Sequence, residues 1–442
     1  MLAHVCRRWR SVVFQSPRRL NLRLLCTPKT RARDMDVWPR LPLIIHDTHA
    51  ILNHRNDTSS VDNIVAALEH NDRVRQIKLR YLSSSKLGYV TDSAAMLKPF
   101  PELTDLRLDM FVYRGLESIL PHSFLSGTAP RLRSLDLRGV PFPGLPKLLL
   151  STTHLVDLDL YGIPRSGYIP PEAMAIGLTA LTNLESLHLQ FRYPRPRPTL
   201  ESRRPPLLTR SILPSLTKIL FKGASEYLEE ILARIDAPRL NLLHITFFNQ
   251  IVFDAPQLFQ LISRRPTLRA PEKGYISFNS KAIIVKFPSQ TSDYGVLSVR
   301  IQCTASEWQL SSLVGVCTSS LPPLSTLVDL YIFDDRVHPP RWQDDVENTL
   351  WLELLHPFSA VKNLYLCEEL APRIAPALQE LVGGRTTEVL PALENIFLEW
   401  FQPSGPLHEG IEKFVAARRL TSHPVAVSRW DRDLKREGYW DL

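Results

Sequence analysis

The chain has 442 residues, too many for one ordinary core, and its 44% hydrophobic and 22% charged content are normal for a folded soluble protein. The formal net charge is +8, but residues 1–33 hold nine cations and no acid, and residues 192–210 hold six Arg against Glu201. The remainder is therefore about −6 (8 − 9 − 5), which excludes the basic face spread along a nucleic-acid binder. No apolar run approaches the ~18 residues of a membrane span, so neither nucleic acid nor membrane is expected as a partner. Cys6, Cys26, Cys303, Cys317 and Cys367 form no CxxC pair. They read as buried thiols of a reducing compartment, cytoplasm or nucleus, with mitochondrial import of the Arg-rich N-terminus as the alternative.

Residues 2–15 predict an amphipathic helix. Leu2, Val5, Cys6, Trp9, Val12 and Val13 fall on one apolar stripe, and Ser16-Pro17 ends it. Residues 18–58 read as a connecting segment. His46, Asp47, His49 and His54 there are the densest potential metal group, but they lack a helical His pair and are expected as polar loop residues.

From 59 to 406 the pattern L-x-x-L-x-L recurs with aliphatic substitutions. Its copies are Val74-Ile77-Leu79, Leu103-Leu106-Leu108, Leu132-Leu135-Leu137, Leu155-Leu158-Leu160, Leu184-Leu187-Leu189, Leu216-Ile219-Phe221 and Leu240-Leu243-Ile245. It returns at Leu327-Leu330-Ile332, Val361-Leu364-Leu366 and Leu393-Ile396-Leu398. Third positions step by 29, 29, 23, 29, 32 and 24 residues and later by 34 and 32, with one gap of 87. A single copy is a common accident; ten at near-regular spacing define an α/β leucine-rich-repeat solenoid, with short parallel strands on the concave side and helices on the convex side. Helical stripes separate the strands, one of them Leu228, Ile231, Leu232 and Ile235 behind Ser225 as its N-cap. Pro101, Pro130, Pro214, Pro238 and Pro391 each stand two residues ahead of a copy and preset an extended backbone. An irregular section at 246–326 holds strand-like Tyr275–Phe278, Ala282–Phe287 and Leu297–Gln302, expected as degenerate repeats and a hairpin. A Pro/Arg-rich loop at 192–210 is an insertion between repeats, and 407–442 reads as a capping segment and tail.

Strand side chains alternate faces, so residues between the buried Leu positions point to the exposed side. Those residues are charged early, with Arg107, Asp109, Asp136 and Arg138, then Tyr161 and His188. They are aromatic late, with Tyr331, Phe333, Tyr365 and Phe397. These ten are the candidate partner-binding residues. The aromatic end is the stronger candidate, unless the tail or a loop covers it. The chain holds no phosphate-binding glycine loop, no nucleophile elbow and no His pair after His408-Glu409, so no enzyme and no cofactor is expected.

His4-Val5-Cys6-Arg7-Arg8-Trp9-Arg10-Ser11-Val12-Val13-Phe14-Gln15-Ser16-Pro17 resembles the second half of an F-box. With the repeats behind it and Leu407–Asp433 similar to a closing segment, the chain resembles the F-box/leucine-rich-repeat proteins abundant in fungi. The motif's first half, a Leu-Pro start and a Leu/Ile-rich helix, is missing from this sequence, so 1–17 corresponds to its C-terminal half. The resemblance implies docking on the Skp-type adaptor of a cullin ubiquitin ligase through Leu2, Val5, Cys6, Trp9, Val12 and Val13. It also implies capture of a protein substrate on the repeats.

Overall fold

Each copy of the repeat opens on a turn and closes in a strand. Where proline leads, at Pro101, Pro130, Pro214 and Pro391, it is the second residue of a four-residue turn. The carbonyl of the preceding residue (Phe100, Ala129, Leu213, Leu390) accepts from the N–H of the first motif residue, Leu103, Leu132, Leu216 or Leu393. Proline suits that place because its fixed φ is the one the turn requires and its missing N–H is not needed there.

The computed structural model describes residues 8, 11, 22–30, 41–47, 58–110, 118–193, 210–248, 253–269, 271–288, 296–303, 308–319, 321, 324–335, 337–340, 348–381, 385–399, 409–421 and 423–432. The chain divides into two units, Met1–Tyr193 with Arg204–Leu220 and Arg234–Arg239, and Pro194–Arg203 with Phe221–Ala233 and Leu240–Leu442.

The first unit runs β1 (Leu24–Cys26), β2 (Leu43–Asp47), α1 (Thr58–Leu68), β3 (Val74–Leu82), α2 (Ser84–Thr91), β4 (Asp105–Met110), β5 (Ser134–Arg138), α3 (Leu145–Leu149), β6 (Asp157–Ile163), α4 (Pro171–Thr179), β7 (Ser186–Phe191), β8 (Ser211–Ile212), the start of β9 (Lys218–Gly223) and β10 (Ile235–Asp236). Strands β1 to β7 pair in sequence order, all parallel. Like meets like in that register: Ile77, Leu106, Leu135, Leu158 and Leu187 form one buried row, and Leu79, Leu108, Leu137, Leu160 and Leu189 the next. The stretch 18–58, read above as a connector, thus supplies two strands, with Leu43 and Ile45 buried beside Val74 and Ile77.

The second unit continues from β9 with α5 (Ser225–Leu232), β11 (Leu242–Phe248), α6 (Pro256–Ser263), α7 (Pro266–Arg269), β12 (Lys273–Asn279), β13 (Ala282–Pro288), β14 (Val296–Gln302), α8 (Trp308–Ser319), β15 (Asp329–Asp334), α9 (Asn348–Leu355), β16 (Asn363–Leu366), α10 (Ala371–Gln379), β17 (Asn395–Glu399), α11 (Glu409–Leu420) and β18 (Ala426–Trp430). Ser225 is the first residue of α5, not its cap; Ala224 holds that place without a side-chain hydrogen bond. The sheet order β11-β14-β13-β12-β15-β16-β17-β18 reverses the irregular section. β14 lies parallel to β11 and β12 parallel to β15, with β13 antiparallel to both between them. Two of the three inserted strands therefore keep the direction of the repeats.

Within the first unit α1 packs on α2 and α3 on α4; within the second, α5 packs on α6, and α8, α9, α10 and α11 pack in order, with α11 closing the row against α10. A Cβ on Gly410 of α11 would stand 2.5 Å from the Ala375 carbonyl oxygen of α10, so only glycine permits this approach. Arg418, fully buried at the other end of α11, donates to the carbonyls of Leu390 and Pro391 and lies over the Phe414 ring. Gly410→Ala is expected to lower the unfolding free energy by about 1–3 kcal/mol, because backbone cannot yield as a side-chain tip would. An unchanged midpoint in urea would show that the two helices are not in this contact.

Candidate interaction surface

The buried rows face the helices; the alternate positions form rows on the other face, in three chemically distinct regions. In the first unit Lys78, Arg107, Asp136, Asp159 and (on the next strand) His188 stand in one row, one strand apart. Asp109, Arg138 and Tyr161 stand in the next. The strand spacing of about 4.8 Å brings opposite charges into contact. Arg107 Nε lies 3.1 Å from Asp136, Arg138 lies 3.0 Å from both Asp136 and Asp159, and His188 Nδ1 lies 2.8 Å from Asp159. Arg138 also lies over the Tyr161 ring at 5.5 Å, and that ring meets His188 edge to face. Gly139 and Gly162 follow Arg138 and Tyr161 with φ of +66° each, the left-handed conformation glycine adopts readily: Gly139 where the chain leaves β5, and Gly162 inside β6 where the register shifts between Leu160 and Ile163.

Burial dominates these carboxyls. It pushes Asp109 above its ordinary pKa, and Asp136 likewise, with Asp159 adding to the shift. At Asp159 burial acts the same way, but the hydrogen bond and charge of His188 and the charge of Arg138 outweigh it and hold the group low. Burial would likewise lower Arg138, but its carboxylate neighbours raise it. The network is locked, yet its aromatic member is open: Tyr161 is 43% exposed.

The second region lies on β9, β11, β13 and β14. His244, Ser298 and Lys286 share one row, and Thr246, Arg300 and Ile284 the next, while the Lys222 ammonium sits 5.5 Å from the Phe248 ring. Burial depresses Lys286; burial and the neighbouring Arg300 depress Lys222. Burial and the Lys286 charge lower His244 from 6.5 to about 4.

The third region is aromatic. Tyr275, Tyr331, Tyr365 and Phe397 occupy one row on β12, β15, β16 and β17. Their rings stack face to face at 4.7, 4.1 and 4.5 Å, within 12° of parallel. Such pairs contribute about 0.5–1.5 kcal/mol each beyond their burial. Burial first, and then neighbouring Tyr365, Tyr275 and Asp329, hold the Tyr331 hydroxyl protonated far above its ordinary range. Beside the stack, Asp329, Asn363 and Asn395 form a hydrogen-bonded row at 2.7 and 2.8 Å.

The tail covers this region. Trp430 meets Tyr331 and Tyr365 edge to face, and Arg432 lies 4.8 Å over the Phe333 ring. The Arg432 guanidinium donates to the Asp334 carbonyl at 3.0 Å and reaches the Asp334 and Glu399 carboxylates at 3.4 Å. Of the late candidates, Phe333 is thus 7% exposed and is part of the tail's seat, and Tyr331 and Tyr365 lie beneath Trp430. The early candidates are brought together on neighbouring strands, with Tyr161 exposed among them. The adaptor candidates Leu2, Val5, Cys6, Trp9, Val12 and Val13, like most of the Pro/Arg-rich loop, lie outside the described residues.

Trp430 and Arg432 were invisible to the repeat pattern, since Arg432 is 98 positions from Asp334 and carries no local signal. Lys222 and His244 follow the same alternation rule as the candidates, whereas Lys286 and Arg300 needed the order of the inserted strands. Among the described residues there is no cluster able to hold a metal ion and no helix long and apolar enough to cross a membrane. The described cysteines are buried and form no disulfide among themselves, and burial pushes the Cys317 and Cys367 thiols up to about 12.

No protein-family model and no curated protein matches the sequence. Among solved structures, the leucine-rich repeat-containing protein LegL7 from Legionella pneumophila aligns over 92% of this chain and 99% of its own at 12% identity, with a TM-score of 0.26. So low a score carries no weight. The class, an α/β leucine-rich-repeat protein, follows from the in-register parallel strands, their buried leucine rows and the helices between them.

Arg432→Ala is expected to destabilise the second unit by about 3 kcal/mol, since Asp334 and Glu399 remain buried without that guanidinium. Urea unfolding followed by tryptophan fluorescence reads this, and a change under 0.5 kcal/mol would show the tail does not close there. His244 gives a pH signature. Its folded pKa is depressed, so the unfolded chain takes up its proton near 6.5 while the native chain resists until about 4. The stability it contributes is complete above pH 6.5 and is lost as pH falls towards 4, on the order of 2 kcal/mol. His244→Gln should flatten that part of the stability curve; an unaltered slope would refute the burial of this ring.

Proposed function

We propose that this chain is a non-enzymatic scaffold that captures a protein partner on the helix-free face of its first unit. The carrying observation is the Arg107–Asp136–Arg138–Asp159–His188 network with Tyr161 exposed above it. Side chains already held by one another lose little freedom on binding, and an exposed tyrosine braced by an arginine is the kind of anchor that dominates protein interfaces. The aromatic stack is a poorer partner surface because Trp430 and Arg432 already occupy it.

Within this reading, the finer role is substrate recognition in a Skp–cullin ubiquitin ligase of the cytoplasm or nucleus. Its support is the F-box-like run His4–Pro17, whose apolar stripe would meet the adaptor while the repeats hold the substrate. The second reading is a scaffold without a ligase. Co-purification with a Skp-type adaptor separates them: retention by the native chain and its loss in Trp9→Ala support the ligase role, and no retention overturns it. For either reading, Tyr161→Ala should weaken partner capture at least tenfold, about 1.4 kcal/mol, with the melting temperature nearly unchanged.

A further inference from the structure

The motif strands β16 and β17 bury alternate residues, whereas β18 presents Ala426, Ser428 and Arg429 to solvent. It ends the strand order beside β17, and Pro424 stands between it and α11. Two side chains seat it on the open face: Trp430 edge to face on Tyr331 and Tyr365, and Arg432 on Asp334, Glu399 and the Phe333 ring. A strand near a chain end that buries so little opens at lower cost than the core does. An indole and a guanidinium are also the side chains that most often anchor one protein in another. The tail therefore meets the ring row as a ligand would, by a strand added at the sheet edge and two anchors beside it.

We propose that the ring row of the second unit is a further partner site, closed by the tail and opened by exchange. A partner segment with an aromatic residue and, two positions on, an arginine takes the places of Trp430 and Arg432 and adds its strand to β17. The chemistry of the occupant is set by the seat. From Tyr275 to Phe397 the rings spend their faces on one another, so an incoming ring meets edges, as Trp430 does. Asp334 is buried, and Arg432 is its cation among the described residues, so whatever displaces the tail must bring a guanidinium of its own. The β17 edge that the tail leaves likewise accepts a new strand. This site belongs to the other unit from the Tyr161 network and does not rest on the reading given to that network.

The test uses the full chain and a fluorescein-labelled peptide of Val425–Asp433, with a scrambled version and a version carrying Arg432→Gln as comparisons. The tethered tail competes at high effective concentration, so weakening it should admit the peptide. The Trp430→Ala chain should bind the peptide at least tenfold more tightly than the native chain, and should not bind the scrambled or Gln versions. Adding Asp334→Asn to that chain should cost at least tenfold in turn. If Trp430→Ala fails to fold, Trp430→Leu replaces it, with at least a threefold gain over the native chain expected. On the native chain, excess peptide should speed hydrogen exchange of the β18 amides donated to β17 at least tenfold. No binding by the weakened chain, equal binding of the Gln version, or β18 amides indifferent to the peptide each overturns the proposal. A native dimer that becomes a monomer on Trp430→Ala would give the seat to a second copy, and would overturn the partner reading too.

Discussion

One backbone carbonyl per repeat sets the pitch of each sheet. The Thr104 carbonyl accepts from the N–H groups of Arg133 and Ser134, that of Arg133 from Val156 and Asp157, that of Val156 from Glu185 and Ser186, and that of Glu185 from Thr217 and Lys218. In the second unit Glu272, Val328 and Lys362 do the same for the strands that follow. Each bond fixes where the next strand begins. Strand order and register then follow, because a slip of one residue would turn every buried leucine to the open face.

Register has a chemical consequence. Equivalent residues of successive repeats stand side by side about 4.8 Å apart, so a row is stable only if its members tolerate close neighbours of their own kind. Leucine rows do so by burial and tyrosine rows by stacking. Amide rows pass a hydrogen bond along, as Asn395 does to Asn363 and Asn363 to Asp329. Charged rows need opposite charges within reach, as Asp136 has in Arg107 of its own row and in Arg138 of the next, which also reaches Asp159. The same rule explains the tail. Asp334 and Glu399 are two buried carboxylates at the strand ends, and a guanidinium from beyond the last strand supplies the charge that the repeats lack.

Periodicity made the repeats legible. All ten copies are strands with buried motif positions, and the three strand-like stretches of the irregular section are strands as well. The alternation rule also located the charged and aromatic rows. It could not give β1 and β2, whose LLC and LIIHD carry too few residues to show a period, nor the direction and order of β12, β13 and β14. Nor could it say that the aromatic row is covered, because Trp430 and Arg432 reach their partners through tertiary closure. The Ser225 cap failed for a local reason: the helix begins one residue earlier than the pattern suggests, so Ser225 is the first residue of α5 and Ala224 stands at the cap.

The inserted meander is where these strands of argument meet. In the regular array each row is built from successive copies of one motif, so its chemistry is set repeat by repeat. The reversed order β14-β13-β12 places side chains from outside that pattern into the same rows: Lys286 beside Tyr275, and Arg300 beside Thr246. A row built this way is free of the self-compatibility that copying imposes, so its chemistry is set by the inserted strands and not by the repeat. Because β12 and β14 keep the parallel direction, the backbone continues through the meander while the side-chain chemistry changes abruptly. A break in repetition that leaves the scaffold intact can carry a distinct specificity at little cost to the fold, which is the physical reason to seek recognition at the irregular section as well as on the regular one.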